Sequence, residues 1–154
     1  MFEFYPDSTK IVVRTDPKTV TSYLLGDKVA KVTEVEKLCE DTGRVIKMQV
    51  LFDNQTLIVM SYSDEYADDL IVVNLEAASK KIRLGCNDAK EFCASKDGKM
   101  IFAIDYDKKD NKSFLKGFDT KLKTELISIS IDSMAFVCNI SNDNNFLHTY
   151  DRKS

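Results

Sequence analysis

Few residues of this 154-residue chain belong to the types that carry out catalysis or bind metals. His148 is the only histidine, and no acid and nucleophile stand around it with the spacing of a catalytic triad. The cysteines lack the Cys-x-x-Cys spacing of zinc and redox motifs, and we expect them to be reduced, small apolar residues. They are Cys39, Cys86, Cys93 and Cys138. The sequence therefore predicts no catalytic residue, no metal site and no cofactor.

An acidic segment at 105–111 has carboxylates two and three residues apart. Calcium loops use acidic side chains at such intervals, but they also need a glycine for their sharp turn. This segment has no glycine, and Lys108 and Lys109 interrupt its carboxylates. The pattern therefore does not favour a calcium site.

A second acidic segment, at 63–69, carries four carboxylates and a tyrosine and is longer than its counterpart at 16–18. We interpret it first as a solvated hairpin tip. The functional alternative is a partner-binding loop, because a tyrosine in an exposed polar loop can anchor an interface. The candidate partner-binding residues are Asp64, Glu65, Tyr66, Asp68 and Asp69.

Charge and hydropathy exclude several classes of partner. The 22 Lys and Arg against 25 Asp and Glu give a net charge of −3, so no basic field exists to bind nucleic acid. No apolar run approaches the roughly 18 residues of a membrane span. The opening Met-Phe-Glu-Phe-Tyr-Pro-Asp does not resemble a signal peptide. We expect a cytoplasmic protein, with cytoskeletal association as one variant, that binds neither nucleic acid nor membrane.

The elements that position these residues follow an internal repeat of about 45 residues. A polar turn with an aspartate recurs in steps of 46, 44 and 46 residues, and an apolar, β-rich run follows each turn. Asp and Asn tolerate positive φ and can bond their own backbone two residues on, so each turn is expected to close a tight hairpin. The predicted structural turn residues are Asp7, Asp53, Asp97 and Asp143.

Four short strands in each unit of this length are typical of a β-propeller blade. We predict an all-β fold, an incomplete propeller ring whose blades have four antiparallel strands. The predicted blades are 1–43, 44–87 and 88–131, with a half blade at 132–154. The segment 27–40 also has the apolar steps of three that suit an amphipathic helix, but its valines and its place in the repeat favour a strand.

Two segments resemble a known family. Ala94-Ser-Lys-Asp-Gly-Lys-Met-Ile-Phe-Ala103 resembles the Phe-Ser-Pro-Asp-Gly-x-x-Leu-Ala segment of WD repeats. Leu70-Ile-Val-Val-Asn-Leu-Glu-Ala-Ala-Ser-Lys80 is similar to their Val-x-Val-Trp-Asp-Leu-x-Thr-Gly-Lys strand and turn. This chain has no tryptophan and no Gly-His before an inner strand, so the family's polar network of His, Asp and Trp is not expected. The resemblance implies a WD-repeat-like propeller, and bacterial-type propellers with Pro-Asp-Gly turns fit almost as well.

This architecture favours a non-catalytic scaffold for protein–protein interaction within a larger protein or a multi-subunit assembly. The expectation rests partly on analogy, because fold alone does not determine function. The alternative is a propeller enzyme or a small-ligand-binding domain that uses the central channel. Charged residues on the innermost strands, pointing into a common pocket, would favour the enzyme, whereas small apolar residues there would favour the scaffold.

Three and a half blades are fewer than the four that a closed ring needs. Apolar blade faces and strand edges would then be exposed, which promotes aggregation unless something covers them. We expect the partner to be another protein chain that completes the propeller, or further sequence of the same chain. A second copy is not favoured, because it would not supply the missing third and fourth strands.

Overall fold

The computed structural model describes residues 1–39, 43–64, 69–77, 80–131, 135–141, 143 and 147–151. Every regular element in these ranges is a β-strand. The described residues contain no helix long and apolar enough to cross a membrane. The chain divides into two compact units, one comprising Met1–Tyr66 with Leu70–Arg83 and the other Ala67–Asp69 with Leu84–Ser154.

The first unit contains two four-stranded antiparallel sheets in which each strand pairs with the next along the chain. The strands of the first sheet are β1 (Phe2–Phe4), β2 (Lys10–Asp16), β3 (Thr19–Leu24) and β4 (Ala30–Val35). The strands of the second sheet are β5 (Arg44–Val50), β6 (Thr56–Tyr62), β7 (Leu70–Asn74) and β8 (Lys81–Arg83).

The second unit contains one four-stranded and one two-stranded antiparallel sheet. The strands of the third sheet are β9 (Ala89–Ala94), β10 (Met100–Asp107), β11 (Lys112–Asp119) and β12 (Glu125–Ile131). The strands of the two-stranded sheet are β13 (Ala135–Ile140) and β14 (Leu147–Asp151).

The ambiguous segment 27–40 contains strand β4, as its valines predicted. Val35 and the following Leu38 are buried, whereas Val29 and Val32 are exposed. The apolar steps of three therefore do not mark one buried face, because only the end of this segment joins the core cluster.

The core of the first unit lies between its two sheets. Val12 and Val20 of the first sheet are buried in one cluster with Val59, Ile71 and Val73 of the second. These are β-branched residues, which pack well on a pleated surface. Full burial of each such side chain contributes roughly 1.5–3 kcal/mol, so the contact between neighbouring sheets is a main source of stability.

The recurring turns share one geometry. The carboxylates of Asp7, Asp53 and Asp97 each accept a hydrogen bond from the backbone N–H two residues on, at 2.9, 2.9 and 3.1 Å. The residue after each aspartate is in the left-handed region, with φ of 59° at Ser8, 55° at Asn54 and 69° at Gly98. In the fourth turn, the carboxylate of Asp143 accepts a hydrogen bond from the hydroxyl of Ser141. This backbone conformation explains why small, turn-forming residues recur at these positions.

Replacing Gly98 with alanine should destabilise the protein by about 1 kcal/mol, because an L-residue at positive φ is strained there. An added Cβ at Gly98 meets no atom within 4 Å, so the cost is one of backbone conformation alone. Gly26→Ala is the matched control, since Gly26 has the same open surroundings without the positive φ. Urea unfolding measures both variants, and equal losses of stability would contradict the assignment.

The turn aspartates also predict a pH dependence. Hydrogen bonds from the Ser95 hydroxyl and the Lys99 N–H hold the pKa of Asp97 below its ordinary value. Its contribution to stability is therefore fully present above the unfolded pKa, about 3.9, and is lost as pH falls through the lower folded pKa. Ser95→Ala should raise the pKa of Asp97 in carboxyl ¹³C NMR titrations while leaving that of Asp7, which Thr9 hydrogen-bonds, in place. An unchanged Asp97 titration would contradict this origin of the shift.

Candidate functional site

Within each unit the sheets approach each other most closely at their first strands. β1 contacts β5 in the first unit, and β9 contacts β13 in the second. In a propeller blade the strand at which neighbouring sheets converge is the innermost one, so β1, β5 and β9 occupy the inner position.

The inner strands carry charged and polar side chains that are half-buried. These are Glu3 on β1, Lys47 and Gln49 on β5, and Lys90 and Glu91 on β9. Burial raises the pKa of Glu3 above its ordinary value. The sequence argument associated an enzyme or ligand-binding domain with inner-strand charges that point into a common pocket, and a scaffold with small apolar residues there.

A cavity of about 200 Å³ lies where the segment that enters β9 meets the turn between β10 and β11. The residues that line the cavity are Asn87, Asp88, Tyr106, Asp107, Lys108 and Lys109. Two acidic and two basic side chains, an amide and a phenol therefore surround one small space. Small-molecule sites are concave and use placed polar groups to orient the ligand, and the lining of this cavity is polar throughout.

Asp88 is the most deeply buried charged group of this cavity, with 3% of its side chain exposed. Its Oδ1 lies 2.7 Å from Nζ of Lys90, which extends from the inner strand β9. Its Oδ2 lies 3.2 Å from Nζ of Lys108, which reaches in from the β10–β11 turn and is largely exposed. A buried carboxylate is costly unless it is paired, and two ammonium groups supply that pairing here.

A second buried carboxylate, that of Asp105 on β10, holds this segment in place. Asp105 is fully buried. Its Oδ1 accepts hydrogen bonds from the backbone N–H groups of Asn87 and Asp88, both at 2.8 Å. Its Oδ2 lies 2.8 Å from Nζ of Lys116 on β11. The backbone N–H of Tyr106 also donates to the carbonyl oxygen of Asp88 at 3.0 Å, so the connection into β9 is fixed from both sides.

Lys116 joins three parts of the second unit. In addition to its contact with Asp105, the Lys116 ammonium donates a hydrogen bond to the carbonyl oxygen of Gly85 at 2.7 Å and lies 3.5 Å from the carboxylate of Glu125. Burial alone would lower the pKa of Lys116, but the hydrogen bond to Asp105 and the charges of Asp105 and Glu125 outweigh it, so the pKa is raised. Lys116 is therefore a structural cation that stays protonated at neutral pH.

Cys86 lies beside this cluster but is unsuited to nucleophilic chemistry. Burial, with the nearby charge of Asp105, raises the pKa of its thiol to about 12. The thiolate is the reactive form of cysteine, and it is absent at neutral pH with such a pKa. Cys39 and Cys93 are buried, and within the described residues neither forms a disulfide.

The turn between β10 and β11 is locally rigid. Oδ1 of Asp107 accepts the backbone N–H of Lys109 at 2.8 Å, and Asn111 has a φ of 53°. The Tyr106 hydroxyl bonds to Oδ1 of Asn111 across the turn. The side chains of Lys108 and Lys109 are exposed at its tip, and the Lys108 ammonium lies beside the carboxylate of Asp88. The segment that the sequence disfavoured as a calcium loop thus provides lysines to the cavity instead.

The predicted partner-binding loop lies mostly outside the described residues, which include Asp64 and Asp69 but not 65–68. Asp64 is exposed and accepts a hydrogen bond from the Tyr62 hydroxyl, and Asp69 is half-buried. The role of this loop stays a prediction. His148 is exposed on β14, and the described residues contain no group of three or more His, Cys, Asp or Glu that could hold a metal ion.

Two groups that matter here were not singled out from sequence: the Asp105–Lys116 pair and the pairing of Asp88 with two lysines. The sequence contained one indication of Asp105: an acidic residue directly follows the apolar run 100–104. The strand β10 continues past it, so this carboxylate lies inside the sheet. Its partner had none, since Lys116 is one of many lysines and reaches Asp105 only through the register of β10 with β11.

The comparisons with known proteins rest on structure. No protein-family model matches this chain, and no curated protein gives a significant match. The fold is similar to that of Kuenenia stuttgartiensis hydrazine synthase, with a TM-score of 0.71 and 14% identity over 95% of this chain. It is also similar to the periplasmic gluconolactonase PpgL of Pseudomonas aeruginosa, with a TM-score of 0.56 and 12% identity over 86% of this chain. This chain spans 41% of the first protein and 39% of the second.

Both similar structures are β-propeller folds. Together with the three four-stranded antiparallel sheets, they confirm the predicted all-β propeller class with four-stranded blades. They support the propeller fold in general and do not extend to the WD-repeat family.

The leading functional prediction, a non-catalytic interaction scaffold, is wrong, and so is the prediction that the chain is not an enzyme. The similar propellers belong to a synthase and a lactonase, which favours the alternative of an enzyme or ligand-binding domain. The error came from analogy with the WD-repeat family, because a shared fold does not carry a shared function. At identities of 14% and 12%, the similarity to these two structures establishes the fold alone.

Breaking the Asp105–Lys116 pair should lower the free energy of unfolding. Asp105→Asn should destabilise the protein by about 3 kcal/mol, because it leaves the Lys116 ammonium without its main buried partner. In a double-mutant cycle with Lys116→Met, the double variant should lose at least 1 kcal/mol less than the sum of the single losses. Asp110→Asn, at an exposed position of the same turn, should stay within about 0.5 kcal/mol of the parent. Additive losses in chemical denaturation would contradict the pairing.

Proposed function

We propose that this chain is part of a propeller enzyme that holds a small polar substrate in the cavity beside β9. The observation that carries the proposal is the buried Asp88 carboxylate, paired with lysines from the inner strand and from the β10–β11 turn at the wall of that cavity. A buried charge with specific charged partners in a cleft is a candidate for a functional site.

The chemistry of the lining indicates an oxygen-rich ligand. The ammonium groups of Lys108 and Lys109 can donate to carbonyl, carboxylate or hydroxyl oxygens, and the carboxylate of Asp107 can accept ligand hydroxyls. The cavity, about 200 Å³, is below the roughly 300–1,000 Å³ of sites for drug-sized molecules. A metabolite the size of a sugar acid suits such a space.

The name of one similar protein, gluconolactonase, provides a probe of this class. In hydrolysis of a lactone, negative charge develops on the carbonyl oxygen, and ammonium groups fixed beside that oxygen stabilise the charge. We propose this electrostatic role for Lys108 and Lys109. Asp88 acts as a positioning residue, because its carboxylate holds the Lys108 ammonium at the cavity.

We also propose that the propeller is WD-repeat-like within its class. The resemblance of the segments 94–103 and 70–80 to WD repeats supports this subclass. The aspartate turn between the first and second strands of each four-stranded sheet agrees with it.

The test is titration of the ¹⁵N-labelled chain with glucono-δ-lactone and with gluconate, followed by NMR. Saturable shifts are expected at the lining residues 87, 88 and 106–109. Lys108→Met and Lys109→Met should each weaken binding at least fivefold, whereas Lys121→Met, an exposed lysine in the β11–β12 turn, should not. The chain should also accelerate lactone hydrolysis above the uncatalysed rate. Shifts outside the cavity only, or equal affinities in all three variants, would refute the site.

A further inference from the structure

Tyr106 is held at both of its polar ends beside the cavity that it helps to line. Its backbone N–H donates to the carbonyl oxygen of Asp88 at 3.0 Å, and its hydroxyl donates to Oδ1 of Asn111 across the β10–β11 turn. The residue is half-buried. A ligand in the cavity would therefore meet a phenol that is already ordered, which lowers the entropic cost of binding.

Asn111 contributes more than the shape of the turn. Its φ of 53° lies in the left-handed region, which glycine and aspartate also tolerate. The turn geometry therefore does not require an amide at this position. The hydrogen bond from Tyr106 is a separate property of the Asn111 side chain, and it has a chemical consequence for the cavity.

The consequence concerns the single proton of the Tyr106 hydroxyl. A tyrosine hydroxyl donates one hydrogen bond and can also accept one. Because the proton of Tyr106 is donated to Oδ1 of Asn111, the phenol oxygen can act towards a ligand only as an acceptor.

Asp107 supplies a second acceptor to the same lining. Its Oδ1 holds the turn by accepting the backbone N–H groups of Lys109, at 2.8 Å, and Asp110, at 3.4 Å. Its Oδ2 takes no part in these two hydrogen bonds. An ionised carboxylate has no proton to donate, so Asp107 also requires a donor from the ligand.

The two lysines of the lining have the opposite requirement. The Lys108 ammonium lies 3.2 Å from Oδ2 of Asp88, and the structure gives the exposed Lys109 ammonium no ion pair within the described residues. An ammonium group only donates, so both lysines favour an anionic oxygen.

The lining therefore separates two kinds of ligand. A plain carboxylic acid would satisfy the ammonium groups but would bring only acceptors towards Tyr106 and Asp107. A hydroxy acid satisfies both, because its hydroxyls donate while its carboxylate accepts. A site that pairs with a ligand hydroxyl rejects the analogue that lacks it, since the polar groups of the site are then left unpaired.

We propose that the cavity selects a hydroxy acid over a plain carboxylic acid, and that Tyr106 and Asp107 accept hydrogen bonds from the ligand hydroxyls. Asn111 is a positioning residue for this selectivity, because it directs the Tyr106 proton away from the ligand. The inference rests on the proposed function, since it concerns the ligand of the same cavity.

The test compares gluconate, which carries hydroxyls along its chain, with hexanoate, whose chain has the same length and no hydroxyl. NMR titrations of the ¹⁵N-labelled chain should show that gluconate binds at least tenfold more tightly. Tyr106→Phe should reduce this preference at least threefold by weakening gluconate alone. Tyr23→Phe is the matched control, since Tyr23 is a half-buried tyrosine on β3 in the other unit, and it should leave the preference unchanged.

Two variants of Asn111 test its role through Tyr106. Asn111→Gly tolerates the left-handed backbone and removes the acceptor, so the Tyr106 proton can turn to a ligand carboxylate. Hexanoate should then bind at least threefold more tightly, a gain that loss of structure would not produce. Asn111→Asp keeps an oxygen acceptor and has no donor, so it should keep the preference of the parent.

A readout without ligand checks the hydrogen bond itself. In the ligand-free chain, Tyr106→Phe should move the side-chain amide signals of Asn111 in the ¹⁵N spectrum. Unmoved signals would contradict the hydrogen bond and overturn the inference.

The titrations separate this inference from the proposed function. If gluconate and hexanoate bind the lining residues equally well, the selectivity is refuted while the site stands. Loss of the preference in Asn111→Asp would also overturn the inference, because Asn111 would then donate to the phenol oxygen rather than accept its proton. If neither acid shifts the lining residues, the proposed function fails and the ligand class fails with it.

Discussion

The geometry of the second unit depends on the carboxylate of Asp105. Two adjacent backbone N–H groups, of Asn87 and Asp88, precede β9 and pair with no strand, and Asp88 is buried, where an N–H without a partner would cost about 1–3 kcal/mol. Asp105 accepts both, and Lys116 balances its charge. Since Lys116 also bonds to Gly85, the connection into β9 is attached to β10 and β11 at several points. This attachment fixes the backbone at Asp88 and so determines how its carboxylate faces the cavity.

A similar dependence holds between the sheets within the first unit. The two sheets of the first unit share one buried cluster, which includes Val12 and Val35 of the first sheet and Val73 of the second. The aspartate turns make this possible, because they set the same hairpin geometry before β2, β6 and β10 and so keep successive sheets alike. On the third sheet, Ile129 is 54% exposed, whereas Val35 at the equivalent position of the first sheet is 2% exposed.

Sequence reasoning succeeded where the physics is local. The spacing of the aspartates and the small residues after them predicted the hairpins, because positive φ at Ser8, Asn54 and Gly98 restricts the residue types. The valines of β4 also predicted a strand correctly, against a helix-like spacing, because the preference of valine for strands is a local property. The Asp105–Lys116 pair and the Asp88 cavity could not be predicted this way, since they depend on which residues the strand register brings together. The scaffold prediction failed because it took function from the fold, and the chemistry of the site was not visible until the strands were aligned.

Backbone hydrogen exchange at Asn87 and Asp88 tests most directly whether the buried carboxylate organises this site. These residues precede β9 and belong to no strand ladder, so only the hydrogen bonds to Asp105 can protect them. Both amides should exchange slowly, with protection close to that of the central strand β10. Exchange as fast as that of the exposed turn residues 108–110 would show that Asp105 does not hold the connection, and the account of the cavity would then be wrong.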